Sequence, residues 1–374
     1  MADLKIAMFS FGDINNYGDI LFAHVFNMEM RSRLADVRID MYSPTNADIG
    51  GVQYKAYARE KIEGKYDALI LAGGEVVHFF DERTWGPVYA KIGAEVESAL
   101  PSDTVWDWVD LEVPFKAWIS VGVRPFEDRL DELKLRKAIE GLDLLSVRGV
   151  LSKKILEQGA LNFYDPRITT TPDLGWLFPK YLEHGGSKGR LFTEHTHGER
   201  EYAIYQVNNI TEEEAGIVAD QLCDYQRRHG VRVFLLPVIH AWEDVRYLRM
   251  IAARSKGELE VLPNDLDILE MADLMVNARI VLSSSLHTAI TALAAGVPAA
   301  IINKWQGTKL QDLFGHQFRL DFLEKDLSRT YEMLMKLENE RKDTSVLKAY
   351  SKFMTLSLGR SFDDLASRIR TAVA

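Results

Sequence analysis

The chain has 374 residues, 47% of them hydrophobic and 27% charged, which is enough apolar sequence for two ordinary cores and predicts a globular protein. Its formal net charge of -10 excludes a broad nucleic-acid surface or a polybasic membrane patch, because both need clustered Lys and Arg. Small anions remain admissible wherever a few cations converge.

The opening MADLKIAMFSFG carries Asp3 and Lys5 in an apolar run too short for a signal peptide. No later segment reaches the roughly 18 uncharged apolar residues of a membrane span. The single cysteine, Cys223 in QLCDYQRR, falls on the buried side of a helical pattern, which precludes an intrachain disulfide and argues against a thiol nucleophile. A soluble, cytoplasmic protein is the expectation.

Short apolar runs alternate with longer helical patterns, as in parallel sheets covered by helices on both faces. The first series places strands at Lys5 to Ser10, Val37 to Met41, Ala68 to Ala72, Lys116 to Gly122 and Leu142 to Val147. Helices are expected at Asp19 to Leu34 and Leu151 to Gln158. The stretch from Pro179 to Glu201, rich in Gly, His and charge and without a period, reads as a linker. A second series then has strands at Tyr202 to Val207, Val231 to Pro237, Leu259 to Leu262, Ile280 to Ser283 and Ala299 to Ile302. Its helices fall near Glu212 to Arg228, Trp242 to Arg254 and Leu266 to Ala272, with another after His287. The predicted architecture is α/β, with two Rossmann-like domains facing across a cleft, residues 1–190 and 200–345. One or two C-terminal helices over 346–374 are expected to pack back on the first domain. Chemistry is then sought just after the strands, where open α/β sheets bind their ligands.

The stretch FSFGDINNYGDILF, residues 9–22, is a glycine-bearing loop between strand and helix. Gly12 and Gly18 lack the G-x-G-x-x-G spacing of a phosphate cradle, and Asp13 and Asp19 are the wrong charge for one. Asp19 can cap the helix, or it can hold an acceptor hydroxyl and take its proton. The strongest local signal is ARIVLSSSLHTAITALAAGVPAAII, residues 278–302. Here a strand ends at Ser283, serines form a turn, and His287 opens a helix whose free N–H groups and dipole favour an anion. His287 is an acid/base candidate; the plainer reading is a capping turn with a hydrogen-bonded histidine.

Arg148 follows a strand, and its planar fork suits a carboxylate or phosphate, with a salt bridge as the alternative. GGEVVHFFDERTWG, from Gly73, offers Glu75 and His78, with Phe79, Phe80 and Trp85 either stacking on a sugar or filling a core. VWDWVDLEVPF, residues 105–115, reads as an acceptor-facing loop or a buried arm. EHTHGER places His195 and His197 in a solvated loop, and no metal site is expected.

Several of these pieces, in order, resemble the polysaccharide pyruvyl transferase family. They are Asn-Tyr-Gly-Asp at Asn16 to Asp19, the Gly73–Gly74 pair, SVGVRP from Ser120, SVR from Ser146 with Ser152 and Leu156 behind it, and PVIHAWED from Pro237 to Asp244. The segment around His287 matches the family's Ser/Asp-x-Arg-Leu-His-x-x-Ile-x-Ala-x-x-x-Gly-x-Pro. The resemblance implies a GT-B-like fold and transfer of pyruvate from phosphoenolpyruvate onto two hydroxyls of a saccharide, as a cyclic ketal, in cell-surface polysaccharide synthesis. Phosphoenolpyruvate is then a co-substrate and no cofactor is needed. The acceptor is a saccharide, free or carried on a lipid or nucleotide.

By the same resemblance His287 and Asp19 are the catalytic candidates. Arg148 and Lys309 fall on the donor side by resemblance, and Asn16 and Tyr17 on the acceptor side; by position, Ser284 and Ser285 in the anion-favouring turn join the donor side, and Glu75 and His78 after their strand join the acceptor side. Three positions depart from the pattern. Ser285 stands for the arginine of Arg-Leu-His, Gly149 for an aspartate and Glu75 for a third glycine. Arg124 is a candidate replacement cation. These departures keep open a GT-B glycosyltransferase using a nucleotide sugar and a non-catalytic saccharide-binding relative.

Overall fold

The computed structural model describes residues 4–78, 82–91, 111–125, 129–161, 164–182, 195–196, 198, 201–317 and 319–374. Phe79, Phe80, His197, residues 105–110 of the candidate acceptor loop and most of the candidate linker lie outside them, as does the Trp85 side chain. The chain forms two compact units. One comprises Met1–Asn15, Asp19–Leu174 and Leu356–Ala374, the other Asn16–Gly18 and Gly175–Thr355.

Among the described residues, the first unit holds an eight-stranded sheet in the order β3-β4-β2-β1-β5-β6-β7-β8. Its strands are β1 Lys5–Phe9, β2 Arg38–Ser43, β3 Ala47–Ile49, β4 Val52–Ala56, β5 Ala68–Ala72, β6 Phe115–Val121, β7 Leu144–Val147 and β8 Ile168–Thr170. All pairings are parallel except the β3–β4 hairpin. Central strands such as ALILA of β5 are buried on both faces, as a sheet covered by helices requires. The register of β6 on β7 slips between Trp118 and Val121, and Ser120 within that slip has φ 55°, a bulge that turns the end of β6.

Among the described residues, the second unit has a six-stranded parallel sheet, β11-β10-β9-β12-β13-β14. Here β9 is Tyr202–Gln206, β10 Arg232–Leu235, β11 Glu260–Val261, β12 Ile280–Ser283, β13 Ala299–Ile302 and β14 Leu323–Glu324. Its helices carry strong local signals. Thr211 and Glu214 form a capping box at the start of Glu212–His229, and Gly230, with φ 63°, ends it. Asp267 and Glu270 do the same for Ile268–Asn277.

Every strand placed by the sequence is present, with ends shifted by up to two residues. The opening helix is Tyr17–Arg31, so it begins two residues before the expected Asp19, and the C-terminal pattern is one helix, Ser345–Val373. Cys223 is buried, as its periodicity indicated, and burial raises its thiol. Among the described residues no helix is long and apolar enough to cross a membrane.

Candidate functional site

In the first unit, the segments after β1, β5, β6, β7 and β8 leave neighbouring strands at the carboxyl edge of the sheet. The turn after β5 consists of Gly73 and Gly74, with φ of 69° and 73°, left-handed conformations that glycine adopts without strain. A side chain on Gly73 would strike the Phe22 ring at 2.5 Å, and one on Gly74 would lie 2.9 Å from Val76 and 3.6 Å from Asp19 Oδ1. Asp19 therefore stands beside a bare backbone turn. It is half-buried in the first turn of the Tyr17–Arg31 helix, where the dipole favours its charge. The reading of Asp19 as the cap is corrected: Asn16 Oδ1 accepts from Gly18 N at 3.2 Å and fills that role.

Gly74 O accepts from Gly122 N at 2.6 Å, and Val77 O accepts from Arg124 N at 3.1 Å, which joins the loops after β5 and β6. On that junction Arg124 Nε donates to Glu75 Oε2 at 2.8 Å. An ion pair this exposed adds only about 0–1 kcal/mol of stability, but it sets a carboxylate against the cation that sequence reading offered to an anionic donor. Arg148 follows β7 with its side chain 7% exposed, and Nη1 donates to Asp173 Oδ2 at 3.1 Å. His78 is buried and stacks on Phe11, with ring centroids 5.6 Å apart. The first unit thus gathers Asp19, Glu75, Arg124 and Arg148 around the Gly74 and Gly122 turns, with His78 turned inward.

Asp13 was not among the sequence-derived site residues. It is buried, and its Oδ2 accepts from Thr45 N at 2.9 Å and Thr45 Oγ1 at 2.8 Å, while the Tyr89 hydroxyl stands 3.5 Å from Oδ1. Burial pushes this carboxyl up to about 7 against those hydrogen bonds. Burial, with the Asp19 and Asp13 carboxylates beside them, raises the Tyr54 and Tyr89 hydroxyls too.

A folded-state value above the unfolded one of 3.8 means that the folded protein holds a proton that the unfolded chain has lost. Stability is therefore lost as pH rises from about 4 through about 7, by an amount on the order of 4 kcal/mol from this group. Asp244, pushed by burial up to about 6, acts in the same direction. The thermal midpoint is expected to fall between pH 5 and pH 8, and Asp13→Asn to flatten most of that slope. Melting curves at several pH values check it, and a midpoint that rises over this interval contradicts the assignment.

In the second unit the network is built from other residues. Asn16 bridges Ile239, Tyr17 N donates to Val238 O at 3.1 Å, and the Tyr17 hydroxyl meets Thr291 Oγ1 at 2.8 Å. Sequence order put Asn16 and Tyr17 in the first domain, and these bonds group them with the second unit instead. An ideal Cβ on Gly18 would lie 1.8 Å from His287 Nδ1, so the imidazole takes the room that the missing side chain leaves. His287 is the second residue of the helix Leu286–Ala294, one later than expected, because Ser285 is the cap and accepts from Thr288 N.

Gln206, the last residue of β9, organises this turn. Its Oε1 accepts from Ser283 Oγ at 2.7 Å and from Ser284 N, Ser284 Oγ and Ser285 N at 3.1 Å each. Its Nε2 donates to Asp244 Oδ2 at 3.2 Å, which also accepts from Val238 N at 2.7 Å and Ile239 N at 2.9 Å. One buried chain of hydrogen bonds therefore runs from the Asn16–Tyr17 segment through Val238, Asp244 and Gln206 to the serines before His287. An anion that takes the amides of Ser284 and Ser285 must displace Gln206 Oε1. Lys309 sits half-buried on another element, the helix Thr308–His316. Sequence reasoning passed over Gln206, the last residue of β9, and Asp173, three residues past β8, although the carboxyl-edge rule directs attention to both segments.

The comparisons with known proteins extend over most of the chain. Its fold is similar to a UDP-GlcNAc 2-epimerase from Methanocaldococcus jannaschii, at 10% identity, TM-score 0.59, covering 94% of this chain and 99% of that one. A UDP-GlcNAc 2-epimerase from Neisseria meningitidis bound to UDP-GlcNAc is similar at 10% identity and TM-score 0.56, covering 95% and 99%. A glycosyltransferase from Rickettsia africae is similar at 10% identity and TM-score 0.55, covering 99% of each chain. At such identities the likeness shows the fold, which is α/β and GT-B-like. No curated protein sequence matches the chain. The family model of polysaccharide pyruvyl transferases matches residues 16–304, from the Asn-Tyr-Gly-Asp segment through the His287 turn and β13, and the chain belongs to that family.

Proposed function

We propose that the protein transfers pyruvate from phosphoenolpyruvate onto two hydroxyls of a saccharide, forming a cyclic ketal in cell-surface polysaccharide synthesis. Family membership carries this reading, supported by a histidine set into a hydrogen-bonded turn after β12 and a guanidinium placed after β7. In the reaction a proton adds to the donor's methylene carbon, leaving an oxocarbenium-like centre at the carbon that bears the carboxylate. One acceptor hydroxyl attacks that carbon, its bond to the phosphate oxygen breaks, and the second hydroxyl closes the ring. Of the two hydroxyl protons, one balances the new methyl group and the other leaves with phosphate. His287 is the acid/base candidate for these transfers and Asp19 the candidate partner of an acceptor hydroxyl. Arg148 is the candidate fork for the donor's carboxylate or phosphate. Lys309 and the serine turn lie on the donor side of this reading, and Asn16, Tyr17, Glu75 and His78 on the acceptor side. No cofactor or metal is assigned, and the site of action is the cytoplasm.

A second reading, a nucleotide-sugar transferase, draws on the fold shared with UDP-GlcNAc enzymes and on the Glu75 carboxylate that faces Arg124. Labelled phosphoenolpyruvate and labelled nucleotide sugar, each offered with a saccharide acceptor, separate the two. Label entering the saccharide from phosphoenolpyruvate is the expected result. Label entering only from the nucleotide sugar overturns the first reading.

A further inference from the structure

Arg148 is a nearly buried guanidinium paired with Asp173, and the segment that holds this partner is itself pinned. Thr171 N donates to Val147 O at 2.9 Å, so the chain after β8 runs alongside the residue before Arg148. The Thr171 hydroxyl meets Ser146 Oγ at 2.7 Å, and Ser146 Oγ accepts from Ser120 N at 2.9 Å. Ser120, at its left-handed φ of 55°, turns its own hydroxyl onto Pro172 O at 2.6 Å. Asp173 follows directly, 4% exposed, with Oδ2 on Arg148 Nη1. At the other terminal nitrogen, an ideal Cβ on Gly122 would lie 2.7 Å from Nη2. The fork thus has a carboxylate at one terminal nitrogen and a bare glycine beside the other.

We propose that Asp173 is the positioning residue for Arg148, holding one guanidinium nitrogen so that the remaining donors keep a fixed direction toward the anionic groups of the donor. This rests on the donor reading of Arg148 given above. Asp173 does not touch the donor in this assignment. A guanidinium has five donors in a rigid plane, and fixing one of them orients the rest. The same carboxylate partly cancels the positive charge that attracts the anion, so orientation and charge have opposite consequences when Asp173 is changed. Asparagine keeps an oxygen to accept from Nη1 and removes the negative charge. Alanine removes both and leaves the buried guanidinium without its counter-ion.

The test compares Asp173→Asn, Asp173→Ala and Arg148→Lys in the full chain. Its readouts are steady-state transfer from phosphoenolpyruvate, calorimetric binding of phosphoenolpyruvate alone, and melting curves to score folding. Asp173→Ala and Arg148→Lys are expected to raise KM and Kd for phosphoenolpyruvate about 10–100-fold, with KM for the acceptor changed less than about 3-fold. Asp173→Asn is expected to keep the donor KM within about 3-fold of the parent. Parent-like donor binding by a folded Asp173→Ala overturns the positioning role, as does equal loss in Asn and Ala, and either leaves the donor reading intact. A parent protein that neither binds nor turns over phosphoenolpyruvate overturns the donor reading and this inference with it. If Asp173→Ala does not fold, Arg148→Lys and Asp173→Asn decide: a large rise in donor KM for the first alone supports the inference, and a similar rise for both overturns it.

Discussion

Replacing His287 with alanine is expected to lower kcat for pyruvyl transfer by about 10²–10⁴-fold, the usual contribution of a positioned acid or base. The expectation rests on how firmly the ring is placed. Its helix is capped by Ser285, the serines before it are gathered on Gln206 Oε1, and its Nδ1 edge lies against the backbone of Gly18. Truncation leaves these bonds intact, so the variant is expected to fold with a nearly unchanged melting curve, and the loss to fall on kcat rather than on the donor KM. Initial rates over a range of both substrates measure this. An unchanged rate in a variant that folds would remove His287 from the chemistry. Gly18→Ala probes the same contact from the other side, because a methyl group there needs the space of the imidazole, and it too is expected to depress kcat.

Asp19→Asn is the second large expectation, with a fall of about 10²–10³-fold in transfer and little change in binding of phosphoenolpyruvate alone. The carboxylate is half-buried in the first helical turn beside the bare Gly74 backbone, and Asn16 rather than Asp19 caps that helix. Loss of its charge near the dipole is expected to cost only about 0.3–1 kcal/mol of stability, too little to explain a hundredfold loss of rate. Transfer assays paired with calorimetric titration of the donor give the comparison. If donor binding and transfer fall by the same factor, Asp19 belongs with the donor and the division of roles fails.

The sheet cores were legible because β1, β5, β9, β12 and β13 are short apolar runs with turn signals behind them. Polar and short elements were not. The helix Arg129–Glu140 is mostly charged, Thr330–Arg341 mixes charged and apolar residues without a clear apolar stripe, and β8 and β14 have only three and two residues, so their evidence lies in tertiary pairing. The same holds at the site. His287 and Arg148 announce themselves by type and position, whereas Gln206 and Asp173 are ordinary in sequence and acquire meaning only from what they bond. Asn16 and Tyr17 show the limit most clearly. They are neighbours of β1 in the chain, yet their partners, Ile239, Val238 and Thr291, are more than two hundred residues away.

The membership of Leu356–Ala374 in the first unit sets the order in which the protein can be made. Phe362 lies fully buried 6.2 Å from Phe26, and Asp363 pairs at 2.7 Å with Arg33, which also holds the buried Glu29. A nascent chain that has emerged only through β8 lacks all of these partners, and its opening helix keeps Phe26 and Glu29 uncovered. The first unit is therefore completed only after the second has been made. Throughout synthesis of the second unit its apolar surface is open to chaperones and proteases, and a truncation before Leu356 would leave the earliest-made part of the protein unfinished.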